Sequence, residues 1–187
     1  DIDLEAIESS EKVKAVVDLE GIRKREQVSK HDVKARLEEF ADKAGHQHAH
    51  KGMTSRDLTE NVEQLQIHRS LGIILEKSIA ALLALAQRAE EFKDLPITAR
   101  SHNVPAQLTT LGKRFASWGE ELERNVEALS RLCANYPYRG VKGAVGTCLD
   151  QVTLLGSVEK AQELDQKVIT HLGATANWEN VGQVYPR

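Results

Sequence analysis

The sequence predicts an all-α chain: a small N-terminal helical domain over residues 1–53, then, over 54–187, the first part of a central bundle of long antiparallel helices. Three observations lead there. Aromatic residues make up only 4% while Ala, Leu, Glu and Lys recur throughout, a mix that favours helices. From Asp57 to Phe92 there is no proline and one glycine, Gly72. From Ala106 to Asn135, Leu108, Leu111, Phe115, Trp118, Leu122, Val126, Leu129 and Leu132 recur at steps of three and four, a clean apolar seam.

The 187 residues allow one domain, or one and a fraction, with enough chain for a sizeable core. Apolar residues at 41% and charged residues at 28% are a globular mix. A net charge of −3 and no basic tract give no electrostatic case for nucleic acid or an anionic membrane. No run approaches the ~18 apolar residues of a membrane span, and the N-terminus has no signal-peptide shape, so the expected place is the cytoplasm. Cys133 and Cys148 fit reduced thiols better than a disulfide framework. The chain opens at Asp1 and stops at Arg187 without a winding-down tail, which reads as a piece cut from a longer protein.

Residues 3–28 read as helix through Leu4, Ile7, Val13, Val16, Val17 and Leu19, with Gly21 as a possible break. Ser29 is the expected N-cap of a second helix through Val33, Leu37, Phe40 and Ala41, ended by Gly45. Lys30, His31 and Asp32 then fall in its first turn, where exposed N–H groups and the helix dipole can hold an anion or a polar ring. From the residues alone, ordinary first-turn residues explain them better. His46, His48 and His50 alternate, so zinc has to be weighed, but no carboxylate or cysteine at ligand spacing accompanies them. Thr54 or Ser55 caps the long helix, with Asp57 and Glu60 favouring its N-terminal turns. Two hydroxyls and free backbone N–H groups at a helix start can also cradle a carboxylate.

That helix has Leu58, Val62, Leu65, Leu71, Leu75, Ile79, Leu82 and Ala86 on one stripe, widened by Ile67, Ile74, Leu83 and Leu85. A stripe so wide implies contacts on more than one side, including a second subunit. Between the long helices, Leu95-Pro-Ile-Thr-Ala runs into Ser101 and His102, and Pro105 is expected to open the next helix. His102 would thus sit on a rigid corner, a fitting mount for a proton-transfer group. From the spacing alone, a helix-capping loop with an incidental surface histidine explains it better.

Tyr136 and Pro137 end the second long helix. The run from Arg139 to Thr147 has glycines at 140, 143 and 146 but matches neither the P-loop nor the dinucleotide fingerprint. It reads as a turn letting backbones approach closely. Ser157 caps a last helix through Val158, Leu164, Val168 and Leu172, stopped by Gly173.

Several of these segments together resemble the fumarase/aspartase superfamily, and within it the adenylosuccinate lyase family. Ser101 and His102 followed by Pro105-Ala-Gln and Thr109-Thr-Leu-Gly-Lys-Arg114 resemble the family's Thr-His segment, with Ser101 keeping the hydroxyl. His50-Lys-Gly-Met-Thr54-Ser55-Arg-Asp57 is similar to its His-x-Gly-x-Thr-Ser-x-Asp pattern. Lys30-His31-Asp32 resembles a nucleotide-lining segment, the Gly140-Val-Lys-Gly143 run a loop near the active site, and Gly182-Gln183 a segment whose glutamine contacts substrate. These segments fall in the family's order and cover nearly the whole chain.

The resemblance implies a fumarase/aspartase-like helical bundle, a β-elimination releasing fumarate, and a nucleotide substrate: adenylosuccinate, giving AMP, or the succinylcarboxamide ribotide. By that likeness His102 protonates the leaving amine, assisted by His31, and Thr54 and Ser55 clasp carboxylate. Gln183 orients the substrate, and Lys30, Asp32, His50 and Ser101 line the pocket, with Arg187 a weaker addition. No metal or organic cofactor is implied. Sites in the superfamily are built from three subunits of a homotetramer. The signature loop bearing the serine base and the N-terminal Arg-Tyr phosphate contact are not in this sequence, so the 187 residues alone are expected to be inactive. Two alternatives remain: a sister lyase acting on argininosuccinate, aspartate or malate, and a non-catalytic helical oligomerisation module.

Overall fold

The structure is a computed structural model and describes residues 4–183. Arg187 lies outside them. Seven α-helices run in the order α1 (Leu4–Val13), α2 (Leu19–Ser29), α3 (Asp32–Ala44), α4 (Ser55–Glu91), α5 (Leu111–Ala134), α6 (Leu149–Leu155) and α7 (Val158–His171). A hairpin of β1 (Pro96–Ser101) and β2 (Val104–Thr110) lies between α4 and α5, and β3 (Pro137–Tyr138) pairs in parallel with β4 (Ala176–Asn177). The described residues are mostly helical, as expected. They divide into one compact unit of residues 4–64 and 137–183, and a second of 65–136.

In the first unit, the expected helix over 3–28 is two helices. The chain breaks before Asp18, not at Gly21. Asp18 is extended and its carboxylate accepts from the N–H groups of Glu20 and Gly21 at 3.1 and 3.0 Å. A Cβ on Gly21 would come within 2.6 Å of that carboxylate. The cap of α3 also differs from expectation. Ser29 belongs to the last turn of α2, Lys30 turns the corner at φ 54°, and His31 is the N-cap, its Nδ1 accepting from Lys34 N–H at 3.3 Å. Gly45 stops α3 at φ 76°, as its place in the sequence suggests. α7 begins and ends as predicted, with the Ser157 hydroxyl accepting from Lys160 N–H at 3.2 Å and Gly173 following at φ 80°.

Every buried apolar residue larger than glycine among the described residues belongs to this first unit: Ile22, Val33, Ala35, Tyr138, Val141, Ala161, Ile169 and Val181 among them. It surrounds a polar centre, described below.

In the second unit, α5 packs antiparallel to the part of α4 that follows Gln64. The ring of Phe92 meets that of Phe115 at 6.0 Å, and His68 stacks on Tyr136 at 5.9 Å, so late residues of one helix face early residues of the other. Gly112 permits the approach: a Cβ there would lie 2.4 Å from the Ala89 carbonyl. The predicted seam is only half covered. Trp118 and Leu132 are each 48% exposed, as are large parts of Ile73, Ile74 and Leu83 on α4. An 18-residue window of α4 reaches a mean hydropathy of 1.5 with none of it buried, enough by length and composition to cross a membrane. That amends the expectation that no stretch approaches a span. Glu76 and Lys77 interrupt the apolar face, and packing by further helices covers such a surface equally well.

The hairpin overturns a further expectation. Pro105 does not open a helix; it lies in β2 opposite Arg100, beside an irregularity between Ala99 and Arg100. In a two-stranded ribbon both strands are edges, and an edge or bulge is where a strand tolerates proline. The helix begins instead at Leu111, capped by the Thr110 hydroxyl, which accepts from Lys113 N–H at 3.1 Å.

Candidate active site

The start of α4 is built around Asp57, which is 1% exposed. Thr54 N–H donates to its Oδ2 at 3.0 Å while Asp57 N–H donates to the Thr54 carbonyl at 3.0 Å, a reciprocal tie across the first turn. The same carboxylate reaches a loop more than eighty residues away. Gly143 N–H donates to Oδ2 at 2.9 Å, Lys142 N–H to Oδ1 at 3.1 Å, and Arg139 Nε to Oδ1 at 2.8 Å. Thr54 and Ser55 therefore stand on a helix start fixed to the glycine-rich segment. The Ser55 and Arg56 N–H groups belong to the first turn, where helix geometry offers no intrahelical acceptor.

Arg139 is fully buried and sits across two turns of α4. Its Nη1 donates to Glu60 Oε2 at 2.9 Å and to the Gln183 carbonyl at 2.8 Å; its Nη2 donates to the carbonyls of Gly182 at 3.1 Å and Gly143 at 3.3 Å. Further along α4, Gln64 accepts from Arg139 N–H at 2.6 Å, and Asn61 exchanges two hydrogen bonds with the Gly140 backbone. Asp57, Glu60, Asn61 and Gln64 recur every three or four residues, so one face of α4 is polar and buried.

The loop itself needs its glycines. Gly140 and Gly146 have φ of 72° and 83°; a Cβ would meet Asp165 Oδ1 at 2.0 Å on the first and the Val181 carbonyl at 1.6 Å on the second. The reading of this run as a close-approach turn holds. Asp165, on α7, accepts from Val141 N–H at 2.6 Å and Asn177 Nδ2 at 2.7 Å, and pairs with the buried Lys142 ammonium. Cys148 follows the loop at φ 54°, and burial pushes its thiol above the usual range, so it is no ready nucleophile.

The structure brings some of the sequence-predicted residues together. His50 turns at φ 73°, its carbonyl accepting from Met53 N–H at 3.1 Å, directly ahead of Thr54 and Ser55. Its Nε2 is closed off from solvent and has no hydrogen-bond partner among the described residues. Gln183 joins this group through its backbone, with its side chain on the exposed side. Lys30, His31 and Asp32 form the exposed α2–α3 corner of the same unit. Asp32 is held below the ordinary carboxylate range by Val33 N–H and by Arg36, which opposes the small cost of its burial. The other histidines of the 46–50 run are engaged: His46 Nε2 lies 2.9 Å from the Ala6 carbonyl and 3.0 Å from Ser10 Oγ, and His48 Nδ1 is 2.6 Å from Lys51 Nζ.

Ser101 and His102 belong to the second unit. His102 and Asn103 are the two turn residues of the hairpin, at φ 49° and 62°, and His102 is exposed. The corner expected between a strand and a helix is thus a tight turn between two strands. A two-residue hairpin with positive φ at both positions suits Asn and Gly; a histidine there costs about 1–3 kcal/mol of backbone strain. Strain of this kind collects where a side chain has to be presented.

Sequence reasoning missed Arg139, Glu60, Lys142 and Asp165 as a network. The signal lay in the α4 pattern, where Asp57, Glu60, Asn61 and Gln64 put polar residues at core spacing opposite a charged, glycine-rich segment. A groove of ≈590 Å³ in the second unit, lined by Leu82, Ala86, Phe115 and Ala116, holds none of the candidate residues.

A family profile described as "Lyase" matches residues 4–180. The chain is 35% identical to the adenylosuccinate lyase of Saccharomyces cerevisiae over 188 residues, which is 98% of this chain and 39% of that protein. It is 34% identical to the adenylosuccinate lyase of Schistosoma mansoni, covering all of this chain and 40% of the relative. The chain thus spans about two fifths of the curated relatives it matches. A solved structure described as fumarate lyase from Mesorhizobium sp. BNC1 superposes with a TM-score of 0.79 over 95% of this chain and 42% of that one, at 20% identity, a likeness of fold.

Proposed function

Since the chain belongs to the lyase family of the fumarase/aspartase superfamily, we propose that its protein is an adenylosuccinate lyase, splitting adenylosuccinate or the succinylcarboxamide ribotide by β-elimination to release fumarate. The observation that supports this reading best is the α4 start, where Thr54 and Ser55 stand on a helix N-terminus fixed by Asp57 to the Gly143 loop. Two hydroxyls and oriented N–H groups suit a dicarboxylate, whose charge grows as a proton leaves the carbon beside it. His102 is the acid toward the departing nitrogen. Its exposed, strained mount presents the imidazole outward, and a positioned acid supplies about 10²–10⁴ in rate. His31, with Lys30 and Asp32, meets the nucleotide end and assists proton transfer. Gln183 orients the substrate, while Ser101 and His50 line the pocket.

The half-covered apolar faces of α4 and α5 suit a homo-oligomer, a tetramer by the family likeness, in the cytoplasm, with sites completed between copies. Neither nucleic acid nor a membrane enters this reading. The test is to incubate the full-length protein separately with adenylosuccinate, argininosuccinate, aspartate and malate and to follow product formation. Fumarate from adenylosuccinate, with AMP, supports the reading. Turnover only of argininosuccinate, aspartate or malate replaces it with a sister lyase, and turnover of none leaves a helical oligomerisation module.

A further inference from the structure

We propose that Arg139 is the positioning residue of this site: it sets the backbone of Gly182 and Gln183, and through it the Gln183 side chain, at a fixed place relative to the α4 start. The proposal rests on the reading that Gln183, Thr54 and Ser55 face the substrate. A guanidinium carries five N–H groups. Here all five have acceptors: Asp57 Oδ1 on Nε, Glu60 Oε2 and the Gln183 carbonyl on Nη1, and the Gly143 and Gly182 carbonyls on Nη2.

Stability alone is a poor reason for this arrangement. A buried ion pair recovers little beyond its desolvation cost, and an apolar side chain of similar volume often does as well. An apolar side chain cannot hold two carboxylates of one helix and three carbonyls of two other segments in a single plane. The carboxylates belong to the element that carries Thr54 and Ser55. Two of the carbonyls belong to Gly182 and Gln183 themselves. Gly146 approaches the same strip from beside it, its Cα facing the Val181 carbonyl. Gln183 is therefore gripped by its own backbone while its side chain stays exposed, which is the arrangement of a presented group.

Arg139→Lys keeps the charge but offers three donors on a flexible stem, so at least two acceptors go unserved. In the full-length protein, amide exchange at Val181, Gly182 and Gln183 should rise by about tenfold or more, while α7 amides change by less than about twofold. The KM for adenylosuccinate should rise about tenfold, the equivalent of one lost hydrogen bond to substrate, with kcat within about threefold. In a Gln183→Ala background the same change should raise KM by less than about twofold, because the group it positions is already gone. Unchanged exchange at these three amides overturns the proposal, as does a KM effect that simply adds to that of Gln183→Ala. If the unaltered protein releases no fumarate from adenylosuccinate, the functional reading fails and the exchange result alone decides the positioning. Should Arg139→Lys not fold, Glu60→Gln leaves the guanidinium in place but loosens one anchor, and a smaller exchange rise confined to the same three amides is expected.

Discussion

Replacing Asp57 by Asn measures how much of the fold hangs on one carboxylate. The two side chains have the same shape, so packing is unchanged and only the donor–acceptor pattern differs. Each carboxylate oxygen serves two donors: Oδ1 takes Arg139 Nε and Lys142 N–H, and Oδ2 takes Thr54 N–H and Gly143 N–H. Whichever way the Asn amide turns, its NH₂ group points at two donors. Arg139 also loses one of its two carboxylates in a place fully closed to water. Breaking a buried pair in this way costs about 3–5 kcal/mol. Urea unfolding of Asp57→Asn and the unaltered protein, followed by helix circular dichroism, should show that loss as a lower midpoint at unchanged slope. The exposed pair Arg124 with Glu120 is the control, and Glu120→Gln should cost less than about 0.5 kcal/mol. A loss below about 1 kcal/mol for Asp57→Asn would refute the claim that this carboxylate holds the α4 start to the loop.

Two glycines separate conformational strain from collision. Gly45→Ala forces a Cβ into a left-handed backbone but meets nothing within 4 Å, whereas Gly146→Ala adds a collision with the Val181 carbonyl. The first should cost about 1–2 kcal/mol and the second clearly more, by the same urea assay. Ser157→Ala removes the α7 cap and should cost about 1 kcal/mol, with amide exchange faster in the first turn of α7 only. Asp18 is held below its ordinary value of 3.8, first by the Gly21 N–H. A lowered folded pKa means that its contribution is present above the unfolded value and is lost as pH falls through the folded one. Thermal midpoints taken downward from about pH 6 should therefore fall less steeply near and below pH 4 in Asp18→Asn than in the unaltered protein.

The helical class, the 37-residue α4, the Gly45 stop and the Ser157 cap could all be read from the chain, because periodicity and capping are local signals. The misreadings have local causes too. Ser29 looks like a cap, but the His31 ring does that job after Lys30 adopts a left-handed turn, a choice no composition rule ranks. Pro105 looks like a helix opener, yet Ile97, Thr98, Val104, Leu108 and Thr109 are a β-branched and apolar series that pairs across His102 and Asn103. The short α6 passed unnoticed because seven residues carry too little periodicity. The candidate site was readable where residues sit close in the chain, as with His50, Thr54 and Ser55. Its anchoring was not: Asp57 and Arg139 are 82 positions apart and meet only in the folded unit.

The central claim is that His102 gives a proton to a departing nitrogen, and its most direct test is the turnover number of His102→Asn with adenylosuccinate. Asn accepts the left-handed turn that this position requires, so the hairpin keeps its shape while the proton donor is lost. The account predicts that kcat falls by about 10²–10⁴ while the thermal midpoint holds or rises, because Asn relieves the strain at this position. A kcat within about threefold of the unaltered enzyme would contradict it.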